Sequence, residues 1–133
     1  MNRIGGQIKE ITVNGSLSLV TIELPDQTII RSIVIDTPNT AAYLQEGRKI
    51  NILFKETELI IATTVDCQIS ILNRILGHII AIERGELISK ISVATAVGEL
   101  IAVISTGAAD RLSLINSMPV SLMIKQNEIM LSS

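Results

Sequence analysis

The chain has 133 residues, 47% of them hydrophobic and 18% charged, with a net charge of −2. This excludes a disordered chain, which is polar and highly charged. With Tyr43 and Phe54 as its only aromatic residues, it also excludes a basic, aromatic-lined surface for long nucleic acids.

The apolar content is mostly Ile, Leu and Val, branched side chains that favour strands. Residues 7–13 alternate loosely and end at Asn14-Gly15, a strong hairpin signal. Residues 17–24 place Leu17 and Leu19 in one phase and Val20, Ile22 and Leu24 in another, which predicts a bulge or bend there. Residues 29–35 form a third strand. Residues 37–44 start with Thr37-Pro38 and contain Ala41-Ala42, suited to one short helical turn that Gly47 stops. Residues 49–54 and 58–63 are two more strands.

The order then repeats. Asn2-Arg3-Ile4-Gly5-Gly6-Gln7-Ile8 matches Asn73-Arg74-Ile75-Leu76-Gly77-His78-Ile79, 71 residues on. Leu53-Phe54-Lys55-Glu56-Thr57-Glu58-Leu59 matches Met123-Ile124-Lys125-Gln126-Asn127-Glu128-Ile129, 70 residues on. The first copy therefore holds one extra residue, placed in the turn around Pro25-Asp26, since hairpin tips tolerate insertion best. The second short helix is expected at residues 107–114. The chain reads as two units, 1–64 and 69–133, joined by an extended segment at 63–68. Five strands with a short helix before the fourth predict an all-β protein of two tandem OB-like five-stranded barrels, each with one short helix.

A mean hydropathy of +0.49 is more than a small domain hides alone. No apolar run approaches the roughly 18 residues of a spanning helix, and Met1-Asn2-Arg3-Ile4-Gly5-Gly6 lacks the apolar stretch of a signal peptide. The expectation is a soluble cytoplasmic protein, away from membranes, that oligomerises to cover apolar surface. Cys67 stands alone, so it forms no internal disulfide and reads as an inert thiol. His78 reads as a surface residue, and Asn2 and Asn73 as bonding to local backbone. Gly6 and Gly77 mark a bulge or close approach in the first strand. Glu58 and Glu128 are expected on solvent-facing strand positions. No nucleophile–base pair and no metal-ligand spacing is present, so the chain is not read as an enzyme.

The repeated Asn-Arg-Ile-x-Gly-x-Ile opening, followed by a hairpin, a short helix and a Lys at a strand end, resembles the Mop or TOBE-type unit, doubled as in the molbindins. Units of that family begin Ser-Ala-Arg-Asn, carry Thr-x-x-Ser before the helix, and end Ile-Lys-Ala. Here Ser70-Ile71-Leu72-Asn73 sits on the opening, with Leu72 where Arg is usual. Ser105-Thr106-Gly107-Ala108 sits on the hydroxyl stretch, and Ile124-Lys125 on the ending, with Gln126 for Ala. In the first copy Met1 stands at the Arg position, Ile35 and Pro38 at the hydroxyl positions, and Phe54-Lys55 keeps the Lys.

The resemblance implies binding of molybdate or tungstate for storage, buffering or sensing. The implied oxyanion ligands are Ser70, Ile71 (through its backbone amide), Ser105 and Lys125, with Lys55 in the first copy. A dianion entering a pocket loses strong hydration, which several aimed donors must replace. The family pattern brings the opening motif and Lys of one subunit to the hydroxyl stretch of a neighbour, in a homotrimer. A second reading is a structural or interaction module that keeps the fold and has lost the anion, which the substitutions at Leu72, Ala108, Ile35 and Pro38 favour. A third, an OB-type oligonucleotide binder, has neither the aromatics nor the basic groove it needs.

Overall fold

The computed structural model describes residues 1–64 and 68–133, so Cys67 and half of the joint at 63–68 lie outside the described residues. The strands are β1 (Asn2–Asn14), β2 (Leu17–Glu23), β3 (Ile29–Val34), β4 (Lys49–Phe54) and β5 (Ile60–Ala62), then β6 (Asn73–Arg84), β7 (Ile88–Thr95), β8 (Gly98–Ser105), β9 (Pro119–Ile124) and β10 (Met130–Ser132). The fold is all-β, and among the described residues there are one short α-helix, α1 (Thr106–Arg111), and two 3-10 turns at Glu56–Glu58 and Gln126–Glu128.

Two five-stranded antiparallel sheets form, ordered β10-β4-β1-β2-β3 and β5-β9-β6-β7-β8. The last strand of each repeat therefore crosses to the other. β10 pairs with β4 through Met130 and Leu53, and β5 pairs with β9 through Ile60 and Met123. The sequence repeats and the sheets are not the same units. The 3-10 turn preceding each crossing strand packs over the edge strand of the other sheet, β3 or β8. The Ser32 hydroxyl on β3 donates to the Ile129 carbonyl at 3.0 Å, which helps close the first barrel and cover an edge that would otherwise offer free backbone groups.

A bulge lies in β1, between Ile8 and Glu10, and again in β6, between Ile79 and Ala81. It explains the loose alternation of residues 7–13. It also corrects the bulge expected in residues 17–24: Ser18, buried, continues the phase of Val20 and Ile22 through β2. Ser18 Oγ donates to the Asp36 carbonyl at 2.6 Å inside the fold, so a hydroxyl fills this buried position. Gly6 and Gly77 precede the bulges, where the paired strands come too close for a side chain. A Cβ on Gly77 would lie 2.5 Å from the Ala94 carbonyl oxygen, and one on Gly6 would lie 2.6 Å from Ile22.

The extra residue of the first copy does fall in its β2–β3 turn. Leu24 and Thr28 bracket three residues there, where Thr95 and Gly98 bracket two. The expected helix at 37–44 does not form as a helix. Thr40 Oγ1 accepts from the Thr37 N–H at 2.8 Å and contacts Asp36, so side chain competes with backbone and the segment stays a string of turns. Its counterpart has Ser105 at the N-cap, accepting from the Ala108 N–H at 3.1 Å; Ile35 at the matching place has no such acceptor.

One apolar cluster runs through both sheets, from Ile4, Ile8 and Phe54 to Ile75, Ile79 and Ile129. Phe54, Ile22 and Ile52 have no exposed surface, and each such side chain contributes about 1.5–3 kcal/mol by leaving water.

Candidate functional site

The exchanged strands bring the two openings into contact with the opposite sheet. Asn73 is buried at the start of β6. Its side-chain amide donates to the Arg31 carbonyl and accepts from the Arg31 N–H, both at 2.8 Å. Asn2 makes the same pair with Ile101, again at 2.8 Å each way. The two Asn side chains thus bond to backbone, as expected, but to the edge strand of the other repeat rather than to their own. They satisfy groups that β3 and β8 would otherwise leave unpaired. They also fix the residues just ahead of Asn73, namely Ser70, Ile71 and Leu72.

Those residues line a pocket of about 220 Å³ together with Lys125, Gln126, Asn127 and Ile33. The Lys is delivered by the end of β9, where the chain enters the second 3-10 turn. Ile71 is buried, while Ser70 and Lys125 are exposed. The pocket therefore has an apolar floor and rim, from Ile71, Leu72 and Ile33, and a polar side with one cation, one hydroxyl and two side-chain amides. A cation and neutral donors around a partly dry hollow suit an anion.

Three of the five expected ligands, Ser70, Ile71 and Lys125, thus meet in one place. Ser105 does not join them within the chain. It caps α1, beside Leu87, whose carbonyl accepts from the Thr106 N–H. The helix is tied down by the Ser89–Thr106 hydroxyl contact at 2.8 Å and by a two-pronged Arg84–Asp110 ion pair. That pair holds the Asp110 carboxyl below its ordinary range, chiefly through the hydrogen bond from Arg84. Lys55 begins the first 3-10 turn, where its N–H donates to Glu58 Oε1 at 2.9 Å.

Sequence reasoning missed Ile33 and Asn127 as pocket residues. Asn127 had a signal, since Lys125-Gln126-Asn127-Glu128 is a polar run between apolar strands. Ile33 had none, because only the strand exchange sets β3 against the second 3-10 turn. The expectation that Glu58 and Glu128 face solvent on strands also fails. Both lie in 3-10 turns, half-buried, and their carboxyls share a hydrogen bond. Burial first, then the Glu58 hydrogen bond and charge, raise Glu128 above its ordinary value, against a smaller pull from Lys125. His78 is exposed, as expected.

A larger groove, about 670 Å³, lies over Gly5 between Lys49, Asn51 and Val97 and holds none of the expected ligands. Leu76 stands in Gly5's place in the second repeat, paired with Ser121 as Gly5 is paired with Asn51. Among the described residues no three His, Cys, Asp or Glu side chains are grouped to hold a metal ion, and no helix is long and apolar enough to cross a membrane.

The sequence pattern of the TOBE domain matches residues 69–131. No curated protein matches the chain significantly by sequence. In fold, the chain is similar to a crystal structure of ModG, a cytoplasmic molybdate-binding protein, with molybdate bound. The TM-score is 0.91 at 19% identity, covering 98% of this chain and 94% of that one.

Proposed function

We propose that this chain, which matches the TOBE domain over residues 69–131 and is similar in fold to a molybdate-binding protein, binds a tetrahedral oxyanion, molybdate or tungstate, in an intracellular storage, buffering or sensing role, without catalysis. The observation that carries the proposal is the convergence of Ser70, the Ile71 backbone and Lys125 on one pocket.

The anion enters against Lys125. The Ser70 hydroxyl and the amides of Gln126 and Asn127 replace part of its lost hydration, and the backbone N–H of Ile71 is a donor whatever its side chain. Leu72 removes the Arg usual in the resembling units, at a cost of about 1.5–3 kcal/mol for one charge-assisted bond. The apolar rim recovers some of this, since a drier site strengthens each remaining charge interaction.

A neighbouring copy completes the site. Ser105 lies away from the pocket in its own chain but beside exposed apolar residues, with Leu87 83% and Ile88 62% accessible. The pocket rim is apolar as well, with Leu72 69% accessible. Docking these two surfaces brings a second hydroxyl to the anion and covers apolar area that a lone subunit exposes. Repeated head to tail, this contact builds a closed ring, in keeping with a homotrimer. Membrane and nucleic acid have no part in it.

Isothermal titration of anion-free protein with molybdate, with sulfate as control, tests the proposal. Saturable heat with molybdate, much weaker with sulfate and reduced at least tenfold in affinity by Lys125→Ala, is expected, about 1.4 kcal/mol per tenfold. Silence at micromolar protein would favour the reading of a scaffold that has lost its anion.

A further inference from the structure

The strand exchange leaves one backbone position open at the pocket. On β3 the N–H and carbonyl of Arg31 point away from β2 and are taken by the Asn73 side chain, both at 2.8 Å. In an antiparallel ladder every second residue turns its backbone groups the same way, and β3 pairs with β2 without a break from Ile29 to Val34. Ile33 therefore presents its N–H and carbonyl at the same free edge as Arg31. No side chain takes them as Asn73 takes those of Arg31: among the described residues neither group has a hydrogen-bond partner beyond β3. This part of the edge faces the pocket, which Ile33 lines together with Ser70, Leu72 and Lys125.

We infer that the Ile33 backbone N–H is a further ligand of the oxyanion held at Lys125. The inference rests on the oxyanion reading and adds to it a donor from the first repeat. A backbone N–H at an exposed edge is bonded to water until a better acceptor arrives, and a charged oxygen is that acceptor. Ser70 and Lys125 reach the anion on side chains that lose rotamer freedom in doing so. The Ile33 N–H is already held by the ladder and points one way before the anion comes, so it loses little. It offsets part of what Leu72 removes. The Ile33 carbonyl faces the same edge, where Gln126 and Asn127 carry amide donors that suit it. The Ile33 side chain, 40% accessible, has only the separate part of an apolar rim.

Amide spectra of the isotope-labelled wild-type protein, recorded with and without saturating molybdate, test this in the unaltered chain. Binding is expected to move the Ile33 amide proton downfield and to slow its exchange with solvent. The Arg31 amide, already bonded to Asn73, is expected to exchange at one slow rate in both states. An Ile33 amide that is protected before molybdate is added, or that neither shifts nor slows when molybdate binds, overturns the inference and leaves an oxyanion-binding protein. Ile33→Pro gives a second readout. Proline lacks the N–H and is tolerated on edge strands where that N–H faces outward, while Ile33→Ala loses the same side chain and keeps the N–H. Circular dichroism checks the fold of both, and the wild-type spectra decide the matter if the proline variant does not fold. In titrations with molybdate, Ile33→Ala is expected within about threefold of wild type and Ile33→Pro about tenfold or more weaker than Ile33→Ala, the loss of one hydrogen bond to a charged group. Equal affinity of two folded variants overturns the inference. No molybdate bound by wild type overturns it together with the oxyanion reading.

Discussion

Single side chains decide two features of this molecule. Asn73 carries a whole backbone pair of β3 on its amide. Asn73→Ala leaves the Arg31 N–H and carbonyl without partners at a half-buried place, and a destabilisation of about 1–3 kcal/mol is expected in urea unfolding. Asn2→Ala has the same consequence at Ile101. Glu128 works in the other direction. Its folded pKa is raised, first by burial and then by Glu58, so the folded state binds its proton more tightly than the unfolded chain does. That contribution is fully present below the ordinary carboxylate range and is lost as pH climbs through the raised value. Glu128→Gln, which keeps the hydrogen-bonding shape without the charge, is therefore expected to stabilise the protein at neutral pH. The gain stays below about 1 kcal/mol because solvent screens a half-exposed group, and it fades as pH is lowered into the ordinary carboxylate range. Thermal melts of both forms across pH 4 to 8 check the trend; a gain that grows toward low pH would contradict it.

At the scale of elements, Ser105 separates a helix from a string of turns. Ser105→Ala removes the side-chain cap of α1, and a loss of about 0.5–2 kcal/mol is expected locally. Faster hydrogen exchange at the Ala108 and Leu112 amides is the readout. Most of the elements were legible in the sequence, because alternation of apolar residues and the Asn14-Gly15 turn are local signals. The helix at 37–44 was not, since the competition between the Thr40 hydroxyl and the backbone depends on where Asp36 and Thr37 come to rest. A bulge or close approach in the first strand was legible from Gly6 and Gly77, while the bulge expected in residues 17–24 is absent from β2. In β2 the buried apolar residues share one phase with Ser18, which is buried and bonds to the Asp36 carbonyl. The carboxyl pair of Glu58 and Glu128 was invisible for a different reason: its members are 70 residues apart, and only the strand exchange joins them.

The exchange also governs the whole molecule. Each sheet takes its crossing strand from the other repeat, and one core runs through both. The two halves should therefore unfold as one. Phe54→Ala, at a position with no exposed surface, is expected to cost about 3–5 kcal/mol and to move a single calorimetric transition rather than split it; two separate transitions in wild type would contradict the exchanged fold. A fragment of residues 1–64 lacks β10, so its β4 edge is open and its own β5 is free. It is expected to dimerise by trading β5, with a mass by light scattering twice that of the fragment. The repeat itself was legible as two offsets in the sequence; that its halves trade strands was not, because pairing of β5 with β4 or with β9 satisfies the same alternation. Of the candidate site, the residues near Asn73 and Lys125 could be named in advance, while Ile33 and Asn127 came only with the fold.

The central claim is that Ser70, the Ile71 backbone and Lys125 hold an oxyanion. The most direct test is a crystal grown with tungstate and measured at the tungsten absorption edge. One anomalous peak per chain is expected in the pocket beside Lys125, with its oxygens within about 3 Å of Lys125 Nζ and Ser70 Oγ. A pocket empty of tungsten, or a peak confined to another surface such as the groove over Gly5, would contradict it.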